Sequence, residues 1–168
     1  DASVYQIKPL GVVLPKDTND VLSLMEYSQK NSVPLLARGG GSSQCGQTVG
    51  ESVVLDYSKH QNKILELNVE EKYVWVQPGV VLDHLNAYLK PHGLWFPVDV
   101  STSSRATIGG MSANNSCGSR SLYYGNMVHN VLAIEAILDD GSIFNFDQIN
   151  KNYLATKNNQ DRLYKIID

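Results

Sequence analysis

The sequence predicts an α+β domain made of two small α/β subdomains that share one ligand site. Three observations carry this. Two short β-type runs flank an amphipathic helical stretch at the start of the chain. Later apolar runs fall into pairs separated by polar turns. Glycine-, serine- and asparagine-rich stretches interrupt both halves. At 168 residues, 42% hydrophobic and 18% charged, the chain has the length and apolar content of one ordinary domain with a buried core.

The elements follow in order. Gly11 to Leu14 (GVVL) reads as a strand that Pro15 stops. Asp17 or Thr18 caps a helix with Val21, Leu22, Met25 and Tyr27 on one side, ending near Asn31. Pro34 to Ala37 is the next strand, which makes a β-α-β unit with a parallel pair. Val53 to Leu55 is a strand ending at Asp56. Ile64–Leu67 and Tyr73–Val76 form an antiparallel pair around the polar turn from Asn68 to Lys72. Gln77-Pro78-Gly79 is a turn that opens a helix, on which Val81, Leu82, Leu85 and Leu89 share a face and Gly93 is the stop. A polar loop runs from Asp99 to Thr107. The stretch IGGMSANNSCGS after it is too rich in glycine and asparagine for an ordinary helix. Asn130–Leu138 and IFNF pair as a hairpin about Asp139–Ser142. The small parallel subdomain thus covers about 1–57, and the larger mixed or antiparallel sheet with its helices about 58–148. Residues 149–168 read as a linker or the start of a further domain.

Composition narrows the function classes. A net charge of −3 without a Lys/Arg cluster argues against nucleic acid as a partner. No apolar run reaches the length of a membrane span, and DASVYQIKPL lacks the pattern of a secretory signal. A cytoplasmic location is the expectation. No CxxC or HxxxH spacing exists among Cys45, Cys117, His60, His84, His92 and His129, so no metal site is expected. The cysteines are expected as free thiols filling gaps near the loops.

The most informative stretch is PLLARGGGSSQCGQTVG, where Gly39, Gly40, Gly41, Gly46 and Gly50 follow an apolar run. Glycine clusters serve a backbone with positive φ or a very close approach, here expected from an anion. Gly41 to Thr48 matches the phosphate loop of nucleotide hydrolases except that Gln47 replaces its lysine, so the charge that reaches β/γ phosphates is missing. No G-x-G-x-x-G fits either. What remains is a nest of backbone N–H groups, with Arg38 beside it to add charge or fix the loop. Two further stretches join it: Ser101 to Gly118 (STSSRATIGGMSANNSCG), and Pro78-Gly79 at a helix start, where free N–H groups favour acceptors. Three such stretches suit a long ligand with polar and flat parts, such as a dinucleotide.

RGGGSSQCGQ, VQPGVVLDHLNAYLKPHGLWFP, TIGGMSANNSCGSRSLYYG and NVLAIEAILDDG, in this order and spacing, resemble the FAD-binding domain of the vanillyl-alcohol-oxidase/p-cresol-methylhydroxylase (PCMH-type) flavoproteins. The wording is most similar to the bacterial branch of FAD-linked D-lactate, glycolate and D-2-hydroxyglutarate dehydrogenases, in the long form with a further iron–sulfur region. The resemblance runs from about Asp1 to Phe146. It implies that Arg38, Gly39, Gly40, Gly41, Ser42, Ser43, Gly46 and Gln47 cradle the FAD pyrophosphate. It further implies that Pro78 and Gly79 lie along the cofactor, and that Ser101, Thr102, Ser103, Thr107, Gly109, Gly110 and Asn114 line its pyrophosphate and flavin side. Gly118, Tyr124 and Gly125 would follow it, with Val131 and Ile134 near the adenine.

Relatives that attach FAD covalently use a His or a Cys where this chain has Ser42 and Ser103, so non-covalent FAD is expected. The resemblance makes the chain a fragment of a larger oxidoreductase that converts a D-2-hydroxy acid to the 2-oxo acid by hydride transfer to FAD. The acid would bind through a following cap domain, which would also hold the catalytic residues. The electron acceptor would be a quinone, a cytochrome or an attached iron–sulfur region, and the parent enzyme would be cytoplasmic or peripheral on the inner face of a membrane. The alternatives are an FAD module inactive in isolation, or another enzyme of this fold, such as a UDP-N-acetylenolpyruvoylglucosamine reductase or a sugar-acid oxidase.

Overall fold

A computed structural model describes residues 1–146, so the expected linker over 149–168 lies outside the described residues. The chain divides into two units, Asp1–Asn130 and Val131–Asp168.

The first unit opens with β1 (Gly11–Val13), α1 (Thr18–Asn31), β2 (Leu35–Arg38) and β3 (Val53–Asp56). Asp17 is the N-cap of α1, and its side chain accepts from Asp20 N–H at 3.1 Å. The Asp20 carboxylate in turn accepts from the N–H of Lys16, the residue before the cap, at 2.8 Å, so two carboxylates tie down the helix start. The helix ends at Asn31 as its spacing predicts, because Ser32 turns left-handed at φ 54° and Val33 N–H reaches back to Ser28 O.

The sheet differs from the expected β-α-β pair in one respect. β1 and β2 do not pair with each other; β3 runs parallel to both and sits between them. Its Val54 and Leu55 are the buried strand residues, which is what a central position demands. The glycine loop therefore connects an edge strand to the centre of the sheet.

Next come β4 (Ile64–Asn68) and β5 (Tyr73–Val76), antiparallel with an irregularity between Ile64 and Glu66, and α2 (Leu82–Leu89), which runs into a 3-10 turn over Lys90–His92. Leu85 and Leu89 pack with Val80 against Ile64, Leu67, Val74 and Val76, and Leu94, Phe96 and Ile108 close the cluster. The i, i+3, i+7 spacing of Leu82, Leu85 and Leu89 produces this face, and all are buried. Gly93 ends the segment at φ 69°.

Three short helices complete the unit: α3 (Ile108–Ala113), α4 (Ser121–Tyr124) and α5 (Met127–Asn130). The first corrects the sequence reading, since IGGMSA is helical despite its glycines. Tertiary contacts override propensity there. Thr107 caps α3 by accepting from Gly110 N–H, and Met111 is buried.

The second unit shows β6 (Ile134–Ile137) and β7 (Ile143–Phe146) paired antiparallel, the expected hairpin about a glycine turn, although its first strand begins at Ile134 rather than at Asn130, which ends α5. Gly141 supplies its turn at φ 82°.

Candidate functional site

The glycine loop leaves β2 at Arg38 and returns to the sheet at Val53. Arg38 and Asp56 are register partners at the ends of β2 and β3, and their side chains form an ion pair through Nη1 and Oδ2. Ser58 anchors the carboxylate from the other side, through its N–H at 2.9 Å and its hydroxyl at 2.6 Å. Burial pushes the Asp56 pKa up, but the Ser58 hydrogen bonds and the Arg38 charge together outweigh it and hold the carboxyl below its usual value of 3.8. The Arg38 guanidinium is thus engaged by a carboxylate at the base of the loop.

The glycines meet the chain itself. A Cβ on Gly39 would collide with Thr107 Oγ1, and one on Gly40 with the Arg105 carbonyl. One on Gly41, where φ is 61°, would lie 2.6 Å from Arg38 Nη2. Likewise a Cβ on Gly109 would strike Pro78, one on Gly79 the Tyr57 carbonyl, and one on Gly118 Asp99. The close approach expected from a ligand is, on the Cβ side of Gly39, Gly40 and Gly109, an approach of one small-residue stretch to another; at Gly41, Gly79 and Gly118 it is an approach of Arg38, Tyr57 and Asp99.

This packing brings the predicted stretches together. Gln47 Nε2 donates to Asn114 Oδ1 at 3.0 Å. Val81 and Thr107 form an antiparallel bridge, and Gly109 N–H donates to Pro78 O at 2.9 Å. The start of α2 is not free for an acceptor, contrary to expectation. Leu82 N–H donates to Ala106 O at 3.0 Å and Asp83 N–H to Ser103 O at 3.1 Å, so the Ser/Thr loop itself caps the helix. Thr102 O accepts from Arg105 and Ala106 N–H, which folds Ser101–Ala106 into turns.

A second clamp was missed by sequence reasoning. Asp99 accepts from the Ser119 hydroxyl at 2.7 Å and from Arg120 Nε at 2.9 Å and N–H at 3.2 Å. These contacts hold its pKa at about 2. Arg120 also lies over the Trp95 ring at 4.6 Å, and Trp95 meets Tyr124 edge-on at 5.2 Å. Asp99 fixes the Gly118 turn, and Gly125 ends α4 at φ 78°. The sequence marks Asp56 only as the end of a strand, and its level with Arg38 comes from the observed register; Asp99 has no signal in sequence. Val131 and Ile134 belong to the second unit, where Ile134 is exposed.

The cysteines are free, and both are exposed rather than filling gaps. Among the described residues no group of His, Cys, Asp and Glu could hold a metal ion, and no helix is long and apolar enough to cross a membrane.

The loop offers what a diphosphate needs. Backbone N–H groups from Gly39 through Gln44 donate no hydrogen bond among the described residues, although Gly39 to Ser43 are partly buried. The Thr48 hydroxyl oxygen is buried and equally without a partner. Native proteins rarely leave a run of such groups unsatisfied, and consecutive N–H groups in a glycine loop suit an anion. The residues present therefore fit the pyrophosphate of a dinucleotide.

Comparison with known proteins agrees. A D-2-hydroxyglutarate dehydrogenase of Haemophilus influenzae is 42% identical over 153 residues, covering 89% of this chain and 15% of that protein. One of Pseudomonas putida is 45% identical over 144 residues, 84% of this chain and 14% of that one. A mitochondrial D-lactate dehydrogenase [cytochrome] of Kluyveromyces lactis is 40% identical over 140 residues, 81% of this chain and 24% of that one. The chain thus spans less than a quarter of the length of these relatives. Among solved structures, 6-hydroxy-D-nicotine oxidase from Arthrobacter nicotinovorans superposes with a TM-score of 0.77 at 18% identity, over 90% of this chain and 33% of that one. An alkyldihydroxyacetonephosphate synthase gives 0.72 at 25% identity, over 85% and 26%. The fold is the PCMH-type FAD-binding fold. The FAD binding domain family matches residues 9–147, and the chain belongs to that family.

Proposed function

We propose that this chain is the FAD-binding domain of a larger oxidoreductase that oxidises a D-2-hydroxy acid, of the lactate, glycolate or 2-hydroxyglutarate type, to the 2-oxo acid. The observation that carries the cofactor site is the run of unengaged N–H groups from Gly39 through Gln44, closed on one side by Thr107 and Arg105. The substrate class is supported by the names of the relatives, which act on D-2-hydroxyglutarate and D-lactate.

When bound, FAD supplies the hydride acceptor. The residues of this chain bind and orient. The loop from Arg38 to Gln47 takes the pyrophosphate through its backbone. Pro78, Gly79, Ser101 to Ser103, Thr107, Gly109, Gly110 and Asn114 line the remainder, and Gly118, Tyr124, Gly125, Val131 and Ile134 extend the contact. Ser42 and Ser103 offer no imidazole or thiol at the attachment positions of covalent relatives, so the cofactor is held non-covalently. The proposed boundary of the FAD-binding domain is near residue 148, with the substrate bound through a following cap domain that also holds the catalytic base. The acceptor is a quinone, a cytochrome or an attached iron–sulfur region, and the parent enzyme is cytoplasmic or peripheral on the inner face of a membrane.

The test uses the full-length protein. Its flavin absorbance should bleach anaerobically with D-lactate, D-2-hydroxyglutarate or the achiral glycolate, and not with the L-enantiomers of the first two. FAD binding without bleaching by D-lactate, D-2-hydroxyglutarate or glycolate overturns the substrate class. Acid precipitation should release all the yellow colour, and a coloured pellet overturns non-covalent binding.

A further inference from the structure

We infer that Arg38 is a positioning residue for the glycine loop, not a phosphate ligand, and that Asp56 is the anchor from which it acts. The inference rests on the proposed cofactor site and specifies how that site is held in shape.

The geometry divides the guanidinium between two tasks. Nη1 pairs with Asp56 Oδ2, at the ends of the parallel strands from which the loop departs and to which it returns. Nη2 and Nε lie beneath Gly41, 2.6 and 2.9 Å from where a Cβ would sit. Gly41 has φ 61°, a conformation that favours glycine, and the missing Cβ leaves room for the arginine that Asp56 holds in place. Asp56 is held in turn by both Ser58 donors, and Tyr57 N–H donates to Arg38 O at 3.0 Å. The chain Ser58–Asp56–Arg38–Gly41 thus runs from the sheet to the middle of the run of free N–H groups. A planar, forked cation suits this task and an ammonium does not.

A positioning role and a ligand role predict opposite signs. If Arg38 were an electrostatic ligand for phosphate, removing the neutralising carboxylate would strengthen binding. If it props the loop, losing the anchor weakens it. The full chain is titrated with FAD, ADP and riboflavin, the last having no phosphate. In wild type, ADP should compete with FAD. Asp56→Asn should weaken FAD and ADP about tenfold, the scale of one lost charged hydrogen bond, and leave riboflavin unchanged. Arg38→Lys should do the same despite keeping its charge, and Asp56→Glu should recover part of the affinity. Tighter or unchanged FAD binding in Asp56→Asn overturns the inference. Equal weakening of riboflavin also overturns it, since that marks general destabilisation. Failure of ADP to compete in wild type would instead overturn the proposed site itself.

Discussion

Gln47 donates its side-chain amide to Asn114 Oδ1 across 67 residues of sequence, and so ties the glycine loop to the C-cap of α3. The bond is exposed, and its partners lie in the two stretches expected to face one ligand. Gln47→Ala should therefore leave thermal stability nearly unchanged. It should weaken FAD binding by about threefold to tenfold, corresponding to one neutral hydrogen bond of about 1 kcal/mol. Flavin fluorescence titration checks this, and unchanged affinity would show that the tie does not shape the site.

Gly40→Val should unfold more easily even without cofactor. Its Cβ would enter the Arg105 carbonyl, which the backbone must move to relieve, at a cost of about 1–3 kcal/mol. Gly11→Ala is the control, because nothing lies within 4 Å of its added Cβ. Thermal unfolding of both variants in the absence of FAD makes the comparison. Equal melting temperatures would contradict the backbone contact.

The Asp99 clamp makes a pH prediction. Its carboxyl has a depressed pKa of about 2 in the folded chain against 3.8 ordinarily. A depressed carboxylate contributes stability that is fully present above its unfolded value and is lost as pH falls through the folded one. The contribution should thus fade between about pH 4 and pH 2, and be absent in Asp99→Asn. The Asp99 carboxyl carbon signal, followed by NMR, should titrate near pH 2. A midpoint near 4 would mean that Ser119 and Arg120 do not hold it in solution.

Cys45 and Cys117 should both react with a water-soluble thiol reagent in the folded protein, since both are exposed and free. Their reaction should need no denaturant. A protein that shows no thiols until it is reduced would contradict this.

Much of the fold was legible because local chemistry and tertiary structure agree. Asp17 announces α1, and Leu82, Leu85 and Leu89 announce the face that α2 buries. The alternation of Tyr73 to Val76 against Ile64 to Asn68 announces a pair. Two features were not legible. Strand order was hidden because β3 enters between its predecessors only after the glycine loop, and no local signal encodes insertion. α3 was hidden because Gly109 and Gly110 are poor helix formers, held helical by the Thr107 cap and by packing on Pro78. At the site, the glycines themselves were conspicuous, but not what they touch. A sequence shows that a Cβ is absent; it does not show that Arg105 O or Thr107 stands in its place.

The free N–H groups from Gly39 through Gln44 also fix how this loop exchanges with solvent. An amide without an acceptor has nothing to break before its hydrogen is replaced, so it exchanges without waiting for the sheet to open. Val53 to Asp56 lie in the central strand, in register with both neighbours, and exchange only through larger openings. One continuous stretch of chain should thus place fast-exchanging amides, ending at Gln44, before the slow ones that begin at Val53. An anion seated on the loop would slow the first group and leave the second as it was. Deuterium uptake along residues 39–56 would then register cofactor as a local change, with no need of colour or turnover.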